Sequence, residues 1–269
     1  SKESVSKKFI SVGSALSEPS FTPYLNYDGR KIKIIASPVG TSPDLIANLV
    51  KSKTVETQIQ KIKEGTKKGR KLILSASRVD YTKGNEELLL AFERLLEKRK
   101  DLHGEIVLMM ACVSATSGMK IYKETQRAIE EIVGRINGKF SLIDWVPIRL
   151  STKRIPYEEL VAWFTQADIC WITPLRDGLN LVAKEYVAAR KGKPGVLVLS
   201  EFTGASVMLN GAILTNPYSQ NKMDASINEA ISMSLEEQLE RIEMMTSAVE
   251  SFTVQDWAEE QIKSIDLYS

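Results

Sequence analysis

Short apolar runs alternate with longer amphipathic segments from Lys71 onward, and this alternation constrains the fold more than any other feature of the sequence. The apolar runs predict strands over residues 71–77, 105–111, 139–143, 168–172, 195–199 and 211–215. The segments between them predict helices over residues 85–100, 119–136, 156–166 and 180–191. Strands that are apolar throughout and separated by helices indicate a parallel sheet with both faces covered. Because crossovers between parallel strands are right-handed, the sequence predicts an α/β fold with a doubly wound parallel sheet.

The two ends of the chain lie outside this alternation. Residues 1–30 have weak periodicity and are predicted to be irregular, and a strand is predicted over residues 31–36. Pro43 stands early in an apolar segment and favours a helix start there. Near the other end, patterns typical of capped helix starts at Ser234 and Thr253 predict two closing helices.

Charge and hydropathy exclude several classes of partner. The chain has 36 basic and 34 acidic residues, for a net charge of +2, which gives no electrostatic reason to expect binding to nucleic acid or to an anionic membrane. No apolar run approaches the roughly 20 residues that a membrane helix needs. The first residues also lack the apolar core of a signal peptide, so a cytoplasmic location is expected. Since the sequence starts without Met, we expect the chain to be processed or cut from a longer protein.

Few residues are available for metal or nucleophilic chemistry. Cys112 and Cys170 lie in apolar runs and are predicted to be buried, reduced thiols, and His103 lies in a turn where it is predicted to face solvent. This set excludes a Cys/His zinc site, and no metal or cofactor is predicted. The sequence contains neither a G-x-G-x-x-G fingerprint nor a Walker A motif, which disfavours a dinucleotide-binding oxidoreductase and a P-loop enzyme.

The segment from Thr173 to Glu185 carries the first candidate site. It joins a predicted buried strand to a predicted helix through a polar loop that contains Asp177 and Gly178. Ligands of open parallel sheets bind at such strand ends, and the N-terminus of a helix attracts anions. Two other interpretations stay open: Asp177 caps the following helix, and Glu185 is an ordinary charge on the helix surface.

The segment from Ser77 to Gly84 carries the second candidate site, at the end of another predicted strand. Arg78 and Lys83 would project from the same sheet edge, where an Arg fork and a Lys charge clamp a diphosphate. The alternative is a surface ion pair between Arg78 and Asp80. The two sites together suit a nucleotide diphosphate that is joined to a group rich in hydroxyls, such as a sugar.

Four segments resemble the retaining glucosyltransferases that include trehalose-6-phosphate synthase: residues 78–84, 134–139, 173–186 and 194–200. The resemblance extends from about Lys31 to the end of the chain. It implies the GT-B architecture, in which two Rossmann-like domains face a cleft. Residues 1–36 would be the tail of a missing N-terminal domain, and residues 37–269 would form the nucleotide-sugar-binding C-terminal domain.

The resemblance also implies roles for single residues. Arg78 and Lys83 match the catalytic pair that binds the diphosphate, Asp177 matches the acid that holds the glucose hydroxyls, and Glu185 matches the ribose ligand. The loop formed by Gly178, Leu179 and Asn180 would contact the sugar and the phosphates. Leu181 and Val182 would contact the diphosphate through their backbone. Arg154 and Ile155 would line the base pocket. The missing domain would supply a glycine-rich loop, a histidine near the sugar and most acceptor contacts, so the chain alone is expected to be inactive.

Two features bear on the substrates. Residues 144–154 and Trp171 are similar to the branch of the family that transfers glucose from ADP-glucose to glycerol 3-phosphate. In addition, residues 112–118 lack the arginine with which trehalose-6-phosphate synthases hold the acceptor phosphate, which disfavours glucose 6-phosphate as acceptor. The alternatives are a trehalose-6-phosphate synthase that uses UDP-glucose and a non-catalytic module that binds a nucleotide sugar.

Overall fold

A computed structural model describes residues 24–34, 36–114 and 120–266 of the chain. Its strands are β1 (Tyr24–Tyr27), β2 (Arg30–Lys33), β3 (Lys71–Arg78), β4 (Ile106–Val113), β5 (Ile148–Ser151), β6 (Ile169–Ile172), β7 (Val196–Ser200) and β8 (Ile213–Thr215). Its helices are α1 (Pro43–Val50), α2 (Lys53–Glu64), α3 (Asn85–Lys98), α4 (Lys120–Phe140), α5 (Tyr157–Gln166), α6 (Leu181–Ala189), α7 (Gln220–Ser232), α8 (Leu235–Glu250) and α9 (Val254–Asp266). Within these ranges, no helix combines the length and the apolar composition that crossing a membrane requires.

The six strands from β3 to β8 form one parallel sheet in the order β5-β4-β3-β6-β7-β8. The chain builds β3, β4 and β5 toward one edge, and then returns to place β6, β7 and β8 on the other side of β3. The prediction of a doubly wound parallel sheet is therefore confirmed. The direction of winding reverses between β3 and β6, which is the topological switch point of the sheet.

Helices cover both faces of the sheet because the central strands are apolar on both sides. Residues 72–76 of β3 are all buried. The predicted apolar stripe of α3 is confirmed, since five of its side chains are at most 2% exposed: Leu88, Leu89, Phe92, Leu95 and Leu96. Burial of one such side chain stabilises the fold by about 1.5–3 kcal/mol. This core holds the strand ends, and the loops that leave them, in fixed positions.

One predicted strand is wrong. The segment 139–143 was expected to be a strand, whereas α4 continues through Gly138 to Phe140 and the strand β5 begins only at Ile148. Glycine inside a helix costs about 1 kcal/mol, which packing of a buried face outweighs. Ile136 is fully buried on that face. The side chain of Asn137 then fixes the start of β5, because it bonds both the carbonyl (2.9 Å) and the N–H (3.0 Å) of Ile148.

The prediction for His103 is also wrong, whereas the prediction for the two cysteines is confirmed. His103 is partly buried, and its Nε2 donates to the carbonyl of Leu96 at 2.8 Å. Its ring stacks on Trp145 with 5.8 Å between the ring centroids. Cys112 and Cys170 are buried free thiols, and burial raises the pKa of Cys112 to about 11. All three residues therefore belong to the packing of the domain.

The N-terminal part that is described forms a hairpin. Strands β1 and β2 pair in antiparallel fashion across a turn at Asp28 and Gly29, both of which have positive φ. The irregular structure predicted for residues 1–30 is therefore wrong for residues 24–30, and residues 1–23 lie outside the described residues. The strand predicted over residues 31–36 is confirmed only in part, because β2 ends at Lys33.

The segment that leads from the hairpin into the sheet domain is held by the last helix. Trp257 Nε1 donates to the carbonyl of Ser37 at 3.2 Å, and Gln261 Nε2 donates to Ser37 Oγ at 2.5 Å. The N–H of Val254, at the start of α9, bonds to the carbonyl of Thr41 at 2.8 Å. The starts predicted for α8 and α9 are confirmed, since Ser234 and Thr253 accept from the backbone three residues on.

Candidate functional site

Both candidate segments leave the sheet at its switch point. Arg78 is the last residue of β3, and the loop to Gly84 follows it. The loop from Thr173 to Asn180 follows β6, which is the direct neighbour of β3. The predicted site residues from the two segments therefore meet at one carboxyl edge, where the fold leaves a crevice for ligands.

Hydrogen bonds join the two loops directly. The N–H of Leu175 donates to the carbonyl of Thr82 at 2.8 Å, and Thr173 Oγ1 donates to the carbonyl of Gly84 at 3.0 Å. Gly84 has a φ of +65°, and a Cβ atom at this position would lie only 1.9 Å from the carbonyl oxygen of Thr173. The close approach of the two loops therefore depends on a glycine at residue 84.

Lys83 and Asp177 form an ion pair across this junction, with 2.8 Å between Nζ and Oδ2. Asp177 also accepts from the N–H of Leu179 (3.3 Å) and from Asn180 Nδ2 (3.2 Å). Burial alone would raise the pKa of Asp177, but the hydrogen bonds from Lys83, Leu179 and Asn180 hold this pKa below its ordinary value. The carboxyl group is thus an ionised acceptor with several donors already aimed at it.

Asn180, not Asp177, caps helix α6, so the capping alternative for Asp177 is wrong. Asn180 Oδ1 accepts from the N–H of Ala183 at 3.0 Å, and the residue has a φ of +74°. A non-glycine residue in this region stores strain, and such strain concentrates at functional sites. Leu181 and Val182 follow as the first helical residues, whose N–H groups have no acceptor within the helix. These groups and the helix dipole favour an anion at this point.

Arg78 does not form the surface ion pair with Asp80 that the alternative interpretation predicts. Asp80 uses Oδ1 to accept from both the N–H and the Oγ1 of Thr82, each at 2.8 Å, and so starts the short helical turn at residues 81–83. The Arg78–Asp80 ion pair is therefore not formed. Arg78 is exposed, and no carboxylate of the described residues lies within ion-pair distance of its guanidinium.

A third loop, which the sequence did not reveal, supports the segment around Gly178. The N–H of Gly204 donates to the carbonyl of Asp177 at 3.0 Å, and the N–H of Ala205 donates to the carbonyl of Leu179 at 2.8 Å. A Cβ atom at Gly204 would lie 2.1 Å from the carbonyl oxygen of Gly178. These contacts link segments that are far apart in the sequence, so no local sequence pattern indicates them.

Glu185 is not an ordinary surface charge. It lies partly buried on α6, and its Oε1 accepts from the hydroxyl of Tyr157 at 3.1 Å. Tyr157 also lines a cavity of about 450 Å³ together with Arg154, Ile155, Pro156 and Leu160. The structure therefore brings the predicted ribose ligand and the predicted base pocket together through Tyr157, which the sequence analysis missed. The expectation about residues 112–118 lies largely outside the described residues, which omit 115–119.

Comparison with known proteins identifies the family of the chain. The sequence model of Glycosyltransferase family 20 matches residues 1–267. The chain belongs to glycosyltransferase family 20. The resemblance stated from the motifs is thus confirmed, and the switch-point crevice lies in a family 20 fold.

The relatives of the chain include glucosylglycerol-phosphate synthases and trehalose-phosphate synthases. The chain is 48% identical to the glucosylglycerol-phosphate synthase of a Synechocystis species over 254 residues, which are 94% of this chain and 51% of that protein. It is 50% identical to the glucosylglycerol-phosphate synthase of a Picosynechococcus species over 87% of this chain and 47% of that protein. A crystal structure of the UDP-forming trehalose-phosphate synthase from Burkholderia xenovorans, in complex with glucose-6-phosphate, is 36% identical with a TM-score of 0.87, covering 92% of this chain and 55% of that one. The chain spans about half the length of these relatives.

Proposed function

We propose that this chain is the donor-binding half of a retaining glucosyltransferase that transfers glucose from ADP-glucose to glycerol 3-phosphate. One observation carries the proposal: at the switch point of a family 20 fold, Lys83 is paired with Asp177 at 2.8 Å, and the exposed Arg78 ends the strand that leads into the same loop. A diphosphate and a sugar are the ligand groups that two cations and an adjacent ionised carboxylate suit.

The geometry supports a separate role for each of these groups during glucose transfer. Arg78 and Lys83 stabilise the negative charge that grows on the diphosphate as the bond to glucose breaks. Asp177 accepts hydrogen bonds from glucose hydroxyls and orients the sugar. The N–H groups at the start of α6 add donors to the diphosphate. In this proposal the acceptor hydroxyl attacks from the face that the diphosphate leaves, and the leaving phosphate takes the proton, so no protein nucleophile is needed.

The proposal also covers the division of the protein into domains and its location in the cell. Residues 1–36 are assigned to the tail of the N-terminal domain and residues 37–269 to the donor-binding domain, so the rest of the protein would provide the acceptor contacts. The chain alone would then bind the donor without turnover. Two buried free cysteines are typical of a reducing compartment and support a cytoplasmic location.

The acceptor assignment rests on similarity. Identity is 48–50% to the glucosylglycerol-phosphate synthases, against 36% to the trehalose-phosphate synthase of known structure. That structure nevertheless supports a second candidate, transfer from UDP-glucose to glucose 6-phosphate. The assay compares the four pairings of the two donors with the two acceptors, using the full-length protein and an Arg78→Ala variant as the inactive control.

We expect product only, or at least tenfold faster, with ADP-glucose and glycerol 3-phosphate; each tenfold step corresponds to about 1.4 kcal/mol in the transition state. Faster transfer from UDP-glucose to glucose 6-phosphate would establish the second candidate. Donor binding without turnover of any pairing would support a binding module and overturn the enzymatic proposal.

A further inference from the structure

A single tyrosine connects two parts of the candidate site that no sequence motif joins. Tyr157 is the first residue of α5, directly after Pro156, and its hydroxyl reaches Glu185 on the neighbouring helix α6. Its ring lines the cavity beside Arg154 and Ile155. The two helices pack against each other, so this contact is fixed by the core beneath it.

We propose that Tyr157 is a positioning residue for the ribose of the nucleotide donor: its hydroxyl orients Glu185 toward the ribose, and its ring separates the ribose site from the nucleobase cavity. This inference rests on the proposed function, because it presupposes that Glu185 binds the ribose. The hydrogen bond occupies Oε1 of Glu185, and in the described part of the chain no donor contacts Oε2. Oε2 is therefore left for a ribose hydroxyl.

The contact with Tyr157 favours the charged form of Glu185. Burial raises the pKa of Glu185, and the hydrogen bond from Tyr157 opposes that rise. Burial and the neighbouring carboxylate raise the pKa of Tyr157, so its hydroxyl stays protonated and continues to donate. An ionised Glu185 offers only acceptors, which suits two adjacent ribose hydroxyls. A protonated Glu185 would lose part of that capacity.

The lysines close to Glu185 in the sequence are engaged elsewhere. Lys184 donates to the carbonyl of Val39 at 3.0 Å, and Lys191 pairs with Glu250 of α8 at 2.5 Å. Asp44 on α1 and Glu158 on α5 lie on the helices that pack against α6. Asp44 and Glu158 are acids and cannot pair with Glu185, and within the described residues no cation, Arg154 of the cavity included, forms an ion pair with it. The hydroxyl of Tyr157 is therefore the contact of the described residues that orients this carboxylate and favours its charged form.

The test is the Tyr157→Phe variant of the full-length protein, titrated with ADP-glucose and UDP-glucose across a pH series. Loss of a hydrogen bond to a charged group should weaken donor binding about tenfold on the acid side of the profile. The sign follows from the pKa of Glu185: without the hydroxyl this pKa rises further, so Glu185 becomes protonated at a higher pH in the variant. The difference from wild type should shrink to about twofold on the alkaline side, where Glu185 is ionised in both proteins.

Two further variants separate positioning from simple damage. Tyr186→Phe removes a neighbouring buried hydroxyl, which donates to the carbonyls of Ala167 and Asp168 at 3.3 Å. We expect this variant to bind the donor on the acid side of the pH series as tightly as the wild type does. In a Glu185→Gln background, adding Tyr157→Phe should change donor affinity less than twofold, because the tyrosine acts through the carboxylate.

The outcomes distinguish this inference from the proposed function. If the wild-type protein binds neither donor, the proposed function fails. If the wild type binds a donor and Tyr157→Phe binds it equally at every pH, the proposed function stands and the role of Tyr157 is overturned. An equal loss at all pH values, repeated in the Glu185→Gln background, would also overturn it, because the tyrosine would then act independently of Glu185.

Discussion

Replacement of Lys83 by Ala should lower kcat of the full-length enzyme about 10²–10³-fold, the loss typical when one preorganised donor to a developing negative charge is removed. The geometry adds a second reason. Lys83 is the cation that pairs with Asp177 at 2.8 Å, so its removal also leaves the carboxylate without its charged partner. The diphosphate would lose the positive charge of Lys83, and the Asp177 carboxylate would no longer be held in place to accept from the sugar. Steady-state kinetics with saturating donor and acceptor measure the effect.

Lys98→Ala provides the matched control. Lys98 Nζ also pairs with an aspartate, Asp224, at 2.8 Å, but the pair lies on α3 and α7, away from the crevice. An exposed pair of this type contributes about 0–1 kcal/mol to stability, and we expect kcat to change less than about twofold. Near-normal turnover of Lys83→Ala would refute the catalytic role of this cation, as would an equal loss in Lys98→Ala.

The second large effect is expected for Gly84→Ala, which should lower the free energy of unfolding by about 2–5 kcal/mol and abolish donor binding. The left-handed backbone costs a residue with a Cβ atom about 1–2 kcal/mol. Because the new Cβ atom would lie 1.9 Å from the carbonyl oxygen of Thr173, the two loops must also move apart. Forced overpacking of this kind costs about 1–3 kcal/mol more. Chemical denaturation and donor titration of the variant measure the two losses.

Gly104→Ala separates the two causes. Gly104 has a φ of +83°, but nothing lies within 4 Å of the position where its Cβ atom would be placed. We expect this variant to lose only the backbone contribution, about 1–2 kcal/mol, and to keep normal donor binding. If Gly84→Ala were no more destabilised than Gly104→Ala, the contact between the two loops would not have the importance assigned to it.

Much of the fold could be predicted because the determining signals are local. The apolar strands and the stripe on α3 follow from their own sequence periods, and the capping residues of α8 and α9 lie next to the turns that they cap. The strand predicted over 139–143 is wrong because packing of Ile136 and bonding of Asn137 to Ile148 carry the helix past Gly138, a residue that is locally unfavourable in a helix. Competition between local preference and tertiary contacts does not appear in a sequence pattern.

The site divides in the same way. Arg78, Lys83 and Asp177 could be placed at one edge of the sheet, since each follows a strand that the sequence identifies. The ion pair between Lys83 and Asp177 could not, because it joins residues 94 positions apart. The contact of Tyr157 with Glu185 likewise connects two helices, and its partners carry no motif of their own. Asp177 and Asn180 are both favoured N-cap residues, so the sequence alone does not decide which of them caps α6.

Arg78, Lys83 and the start of α6 are proposed to bind a nucleotide-sugar donor. Calorimetric titration of the full-length protein and of this chain with ADP-glucose and UDP-glucose, each compared with its Arg78→Ala variant, tests this claim most directly. We predict tighter binding of ADP-glucose than of UDP-glucose, and loss of binding in the variants. Absence of donor binding by the full-length protein, or equal binding by wild type and Arg78→Ala, would contradict the claim.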